Sequence, residues 1–130
     1  MKTKLKLMFA VMVGVSIGGI GGRVIRGQQV KTPPGYLIAE VEVTDTAALQ
    51  DYGKKIAETL APFNHHYIVS TSKIQGLEGE APKDRVVVIE FDSVQKAREW
   101  YDSPAYAAIK RIRQNAAKSR IFIVEGIAPQ

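Results

Sequence analysis

The order in which two hydrophobic periodicities follow one another most restricts what this chain can fold into. From Tyr36 the residues alternate between apolar and other side chains, which predicts a strand with one apolar face. The residues on the apolar side are Leu37, Ala39, Val41 and Val43. A helix is predicted next, from an N-cap at Asp45 to about Ala61, because apolar residues then recur at spacings of three and four.

Three further strands are predicted along the chain. His66 to Ile74 is rich in β-branched and aromatic residues, and Arg120 to Gly126 forms the last predicted strand. Arg85 to Phe91 (RVVVIEF) gives the clearest signal, and its nearly continuous apolar run predicts burial on both faces.

Between the last two strands the sequence predicts a helix that is either broken or continued at Ser103-Pro104. Ser93 is suited to cap its start, and Ser103-Pro104 is an N-cap followed by proline at the first helical position. The predicted apolar side after this second start consists of Tyr106, Ile109, Ile112 and Ala116.

The resulting order β-α-β-β-α-β is the ferredoxin-like pattern, an α+β fold with a four-stranded antiparallel sheet and helices on one face. The folded part would span 36–127. No segment is left to cover the other face of the sheet, so we expect two copies to pack sheet to sheet as a homodimer.

All of the net charge lies in the N-terminal segment. Residues 1–27 contain five Lys or Arg residues and no acid, which accounts for the formal net charge of +5; the remaining 13 Lys and Arg balance 13 Asp and Glu. The segment has a basic start followed by the uncharged stretch 7–22, a layout typical of an export signal. A balanced folded part argues against nucleic acid as a partner.

We therefore expect residues 1–27 to be a signal peptide, with an uncleaved N-terminal anchor or a buried core helix as alternatives, and residues 28–35 to be a linker. The protein would be periplasmic or secreted, or anchored to the inner membrane if the segment is not cleaved. Membrane contact would then occur only through this segment. The chain has no cysteine, which excludes disulfides and thiolate metal sites.

The segment Trp100 to Tyr106 (WYDSPAY), preceded by RVVVIEF and followed by Val124-Glu125-Gly126, resembles the domain-of-unknown-function family thirteen-thirty. The similarity covers about Pro34 to Gly126. It implies a dimeric α/β-barrel of the ferredoxin-like type and assigns no activity. The wider structural relatives of that family include cofactor-free monooxygenases, which is an analogy of fold only.

The chain departs from this family in its second strand. Where the family commonly has Gly-Gly before an aromatic residue and Arg-Gly-Gly after it, this chain has Asn64, His65 and His66 before Tyr67, and then Ser70-Thr71-Ser72. Adjacent strand residues point to opposite faces, so the two histidines cannot readily bind one metal ion together. No metal is therefore expected, and no other cofactor is expected either, since the folded part contains no nucleotide-binding motif.

The candidate catalytic residues are His66, Glu90 and Tyr101. An imidazole titrates near neutral pH, and a carboxylate close to a second one has a raised pKa, so either can exchange protons. The structural alternatives are surface or packing roles for the histidine and an ion pair for Glu90. A basic stripe that includes Lys110, Arg111 and Arg113 is interpreted as a solvated helix face.

The candidate ligand-binding residues are Arg85, Trp100 and Tyr106. Aromatic side chains around the helix break could line an apolar cleft between helix and sheet, with a tyrosine hydroxyl orienting a polar group. The same aromatics could instead anchor the helix break, and Arg85 could form an ion pair at a strand end.

Two functions remain open at this stage. The first is a homodimer that binds a small organic molecule and could act on it without a cofactor. The second is a non-catalytic structural or interaction protein of the cell envelope.

Overall fold

The structure of this protein is a computed structural model that describes residues 31–130. The predicted signal segment 1–27 and the first part of the predicted linker lie outside the described residues. Within residues 31–130, none of the helices combines the length and the apolar character needed to cross a membrane.

Within the described residues, four strands and three helices follow one another in the predicted order. The strands are β1 (Gly35–Val43), β2 (His65–Thr71), β3 (Arg85–Phe91) and β4 (Ala117–Glu125). The helices are α1 (Thr46–Leu60), α2 (Val94–Tyr101) and α3 (Pro104–Ala116). All neighbouring strands are antiparallel, in the sheet order β2-β3-β1-β4. This arrangement confirms the predicted α+β, ferredoxin-like fold.

Side-chain caps define where the helices begin. The Asp45 carboxylate accepts the backbone N–H of Ala48 at 3.1 Å, and Ser93 caps α2 in the same way. The Ser103 hydroxyl accepts from the Tyr106 N–H at 3.2 Å and donates to the Trp100 carbonyl at 2.8 Å. Ser103 thus closes α2 and opens α3, so the predicted helix is broken at Ser103-Pro104.

Two predicted strand boundaries, the end of β2 and the start of β4, differ from the structure by three residues, and the other differences are of one residue. β2 ends at Thr71 because the Thr71 hydroxyl accepts the backbone N–H of Lys73 at 2.9 Å and turns the chain there. β4 begins at Ala117, directly after α3, because it pairs with β1 along its whole length up to Val43. The Ala116 carbonyl is held by the backbone N–H groups of Thr44 and Asp45, so helix and strand join without a loop.

The main core lies between the sheet and α2 with the start of α3. Its most deeply buried large side chains are Leu60, Ile89, Phe91, Trp100 and Tyr106. Trp100 stacks on Phe91 with ring centroids 5.8 Å apart, and its indole N–H donates to the Thr59 hydroxyl at 3.0 Å. Every polar atom of the tryptophan is therefore satisfied inside the core.

Helix α1 packs mainly against α3, whereas α2 packs on β1, β3 and β4. The apolar stripe of α1, formed by Leu49, Tyr52 and Ile56, consequently remains only half-buried. Space is left between this stripe and the strands below it, and this space is the candidate site.

The other face of the sheet carries residues in register across the strands. One apolar row crosses all four strands, through Val69, Val88, Ile38 and Phe122. The next row contains His66, Glu90, Tyr36 and Val124. In the part of the chain that the structure describes, no helix covers this face, and Phe122 is 40% exposed.

Candidate functional site

A cavity of about 680 Å³ lies between the sheet and the helices. Its sheet side is apolar and includes Ala39, Val87 and Ile121, which point toward the helices. Its helix side includes the α1 stripe and the aromatic residues of α2 and α3. Among the described residues, those that line the cavity include two arginines and no aspartate or glutamate.

A cluster of hydroxyl and guanidinium groups lies in the wall where α1 meets α3. The hydroxyl oxygens of Tyr52 and Tyr106 are 2.7 Å apart, and the Nε of Arg113 donates to the Tyr106 hydroxyl at 3.2 Å. Tyr106 and Arg113 lie seven residues apart on α3, two helical turns, and so share one face. Both are nearly fully buried, with exposed fractions of 1% and 6%.

The surroundings of these groups shift their ionisation. Burial raises the pKa of the Tyr52 hydroxyl well above its ordinary value of 10.0; Tyr106 raises it further, and Arg113 opposes this. Burial also raises the pKa of Tyr67, with Tyr106 adding to the shift and Arg85 opposing it. Both phenols therefore keep their protons at neutral pH. For Arg113, burial lowers the pKa, but the neighbouring tyrosines, led by Tyr106, outweigh this and the net shift is upward.

The edge of the cavity near β2 and β3 carries a second cation. Arg85 is exposed at the start of β3, and its Nη2 donates to the Ser70 hydroxyl at 2.6 Å. Tyr67, 48% exposed, lines the same edge. This side of the cavity is thus polar and accessible, whereas the end at Arg113 is buried.

The structure places the predicted ligand-binding residues Arg85, Trp100 and Tyr106 around this cavity, together with the predicted catalytic residue Tyr101. Trp100 and Tyr106 also have the anchoring role considered as their alternative, since their ring centroids are 4.1 Å apart in the core. These residues therefore line the cavity and also anchor the helix break.

His66 and Glu90 lie elsewhere. They meet on the outer face of the sheet, with the His66 Nδ1 3.5 Å from a Glu90 carboxylate oxygen. The Tyr36 hydroxyl donates to the same carboxylate at 3.2 Å. The three predicted catalytic residues therefore do not converge within one subunit, because Tyr101 is on the opposite side of the sheet.

Sequence reasoning missed Arg113 and Tyr52 as site residues. The interpretation of Arg113 as part of a solvated helix face is wrong, because the residue is buried beside Tyr106. The spacing 106, 109, 113, 116 follows the helical repeat as well as the predicted stripe through Ile112 does. That spacing places Arg113 on the buried face of the helix, but its charge favours the interpretation as a solvated residue.

His65 and His66 point to opposite faces, as expected for adjacent strand residues; the His65 Nδ1 is 2.8 Å from the Phe63 carbonyl oxygen. Among residues 31–130 no three His, Asp or Glu side chains are grouped closely enough to hold a metal ion.

A family model described as "Domain of unknown function (DUF1330)" matches residues 34–127. Among solved structures, RPA0582, a protein of unknown function from Rhodopseudomonas palustris, superposes with a TM-score of 0.62 at 18% identity, over 84% of this chain and 94% of that one. SnoaB, a cofactor-independent oxygenase from Streptomyces nogalater, superposes with a TM-score of 0.55 at 11% identity, over 76% of this chain and 96% of that one.

A dimeric ferredoxin-like protein of unknown function from Thermobifida fusca gives a TM-score of 0.51 at 16% identity, over 74% of this chain and 93% of that one. At these sequence identities the similarity shows a shared fold and nothing further. No curated protein matches the chain.

Proposed function

Since this chain belongs to the DUF1330 family, whose description assigns no reaction, we propose its function from its own cavity: the protein binds a small organic molecule between the sheet and the helices. The cavity of about 680 Å³ is the observation that carries the proposal. Its volume falls within the range of about 300 to 1,000 Å³ that is usual for ligand sites, and it combines apolar walls with a few convergent polar groups.

The alternative of a purely structural protein accounts less well for this cavity. Protein interiors are normally close-packed, and unfilled apolar space costs stability. Here α1 packs mainly on α3, a cavity remains between α1 and the sheet, and the polar side chains Tyr52, Tyr106 and Arg113 meet where both helices line it.

A cofactor-independent reaction on the bound molecule is the second part of the proposal. Its support is an analogy of fold with SnoaB, a cofactor-independent oxygenase. Within one subunit, the groups that could handle a proton in the cavity are the tyrosine hydroxyls, because His66 and Glu90 lie on the other face.

The test is native mass spectrometry of the protein purified from its own host, in wild-type form and as two matched variants. Val87 lines the cavity and Val88, its neighbour on β3, lies on the outer face. We expect a small molecule to co-purify with wild type and with Val88→Phe, and to be lost from Val87→Phe, in which the larger ring occupies the cavity. If wild type carries no such molecule and gains none from a soaked metabolite extract, the proposal fails and the structural alternative is favoured.

We also propose that the protein is exported and works as a homodimer. The basic and apolar layout of residues 1–27 supports export to the periplasm or beyond. The intact mass of the protein recovered from the host's periplasmic and membrane fractions checks this, because cleavage removes about the first 22 to 27 residues. Full-length protein found only in the cytoplasm would contradict it. The uncovered apolar row on the outer face of the sheet supports the dimer.

A further inference from the structure

The buried end of the cavity holds a cation that has no acidic partner within residues 31–130. Arg113 is 94% buried, and no ion pair within 4.0 Å joins it to an acid among the residues that the structure describes. Burying a charge without a partner costs several kcal/mol, so buried arginines are usually paired. Arg113 instead faces a space lined by no carboxylate at all.

The hydrogen bonds around Arg113 leave an excess of donors. Two bonds join the three groups, one from Arg113 to Tyr106 and one between Tyr106 and Tyr52. Whichever tyrosine donates in the second bond, one of the two hydroxyl protons has no acceptor among the described side chains. The terminal nitrogens of the Arg113 guanidinium add further donors, and a guanidinium cannot accept.

An excess of donors around a positive charge is matched by an anion that is rich in acceptors. A carboxylate fits the planar guanidinium and can accept from a tyrosine hydroxyl at the same time. The other walls of the cavity are apolar, formed by side chains such as Val87 and Ile121. A ligand that fits both the donor-rich end and the apolar walls has a hydrophobic body and one acidic head.

We propose that the molecule bound in this cavity is an apolar organic acid whose carboxylate lies against Arg113 and receives a hydrogen bond from the Tyr52–Tyr106 pair. This inference rests on the proposed function, because it names the chemical class of the ligand for the same cavity. Arg113 is then a ligand-binding residue and Tyr52 shares that role.

Isothermal titration calorimetry with two probes of the same shape tests the charge requirement. The probes are 2-naphthoate and the neutral 2-naphthalenemethanol. We expect wild type to bind the naphthoate at least about tenfold more tightly than the alcohol, as for a hydrogen bond to a charged group. Arg113→Met should abolish this preference, because the affinity for the naphthoate falls while the affinity for the alcohol stays unchanged.

Two further variants keep the test sharp. Arg111→Met removes the same charge from an exposed position on the same helix and should retain the preference. Tyr52→Phe removes one hydroxyl and should reduce the preference by a smaller factor than Arg113→Met does. If a variant loses binding of both probes and circular dichroism shows that it is unfolded, the remaining variant decides the question. A folded variant that loses both probes contradicts a role confined to the charge.

The outcomes separate this inference from the function on which it rests. Equal affinity of wild type for the two probes, or a preference that survives Arg113→Met, overturns the proposal that the ligand is an acid bound by Arg113. The proposal that the cavity binds a small molecule is then unaffected. Failure of wild type to bind either probe, together with an empty cavity in the protein from its host, overturns both.

Discussion

At the scale of single residues, Arg113 shows how a charged side chain can occupy a core position of a helix. Its place in the repeat of α3, seven residues after Tyr106 and three before Ala116, turns it inward. The aliphatic part of the side chain is buried with its neighbours, and the Nε reaches the Tyr106 hydroxyl. Removing the guanidinium of Arg113 from water therefore costs free energy on folding, a cost that a solvated arginine does not have.

This cost gives a prediction for stability. Arg113→Met removes a buried charge without an acidic partner, and loses one hydrogen bond to Tyr106 worth about 1 kcal/mol. We expect the free energy of unfolding to stay unchanged or to rise by roughly 1 kcal/mol, because replacing unpaired buried charge with apolar volume is stabilising. Urea denaturation measures this, with Arg111→Met as the control. A loss of more than about 2 kcal/mol would show that Arg113 holds the fold together.

The buried tyrosine pair predicts how stability depends on alkaline pH. The pKa of Tyr52 is raised in the folded state above the 10.0 of an unperturbed tyrosine. Below pH 10 the Tyr52 hydroxyl keeps its proton in both the folded and the unfolded state, so its ionisation does not reduce the free energy of unfolding. Above pH 10 the unfolded chain loses this proton first, so stability falls as pH rises.

The slope is at most about 1.4 kcal/mol per pH unit for one such group. Urea midpoints of wild type and Tyr52→Phe, recorded between pH 9 and pH 11, measure it. We expect the fall in stability to be shallower in the variant, whatever its stability at neutral pH. Parallel pH dependences would exclude Tyr52 as the titrating group.

At the scale of elements, the joint between β1 and α2 depends on Gly35. A Cβ at this position would lie 2.5 Å from the backbone nitrogen of Val94, and the backbone there cannot move aside cheaply. We expect Gly35→Ala to destabilise the protein by about 1 to 3 kcal/mol, the usual cost of overpacking.

Gly53 provides the matched control. It lies inside α1, and an added Cβ would contact nothing within 4 Å. Gly53→Ala should therefore stabilise the protein by about 0.5 to 1 kcal/mol, because alanine loses less conformational freedom in a helix. Thermal denaturation of the two variants beside wild type compares them directly. Equal effects would mean that the close approach at Gly35 relaxes freely.

The elements themselves were largely predictable because their signals are local. β3 has the predicted bounds, and the caps at Asp45, Ser93 and Ser103 lie where short polar side chains precede apolar repeats. The start of β4 at Ala117 was not predictable, because pairing with β1 extends it through residues without strand character of their own. Tertiary pairing overrode local propensity there.

At the scale of the whole molecule, the apolar row on the outer face predicts a back-to-back homodimer. The row runs through Val69, Val88, Ile38 and Phe122, in register across all four strands. Placing a charge in such a row, with no partner for it, prevents the two sheets from packing.

Light scattering with size-exclusion chromatography tests this prediction. We expect wild type to have the mass of two protomers and Ile38→Glu to have the mass of one, while Leu77→Glu leaves the dimer intact. Leu77 is 91% exposed in the loop between β2 and β3 and is not part of this row. A monomeric wild type would refute the dimer.

The site was less predictable than the fold, for a physical reason. The cavity depends on how closely α1 approaches the sheet while it packs on α3, and no periodicity within α1 encodes that distance. Arg85, Trp100, Tyr101 and Tyr106 could be named from sequence, but their meeting with Tyr52 and Arg113 depends on that separation. Likewise, the faces of His66 and Glu90 followed from strand alternation only once the register was known.

Because the sheet is one residue thick, β3 serves two surfaces with alternate residues. Val87 and Ile89 line the cavity, and Val88 and Glu90 lie on the outer face. A substitution can therefore alter one surface and spare the other. An insertion or deletion of one residue within Arg85–Phe91 would exchange the two sets along the strand beyond it. The cavity wall and the outer face can thus change independently in evolution by replacement of residues, whereas the length of this strand is constrained by both at once.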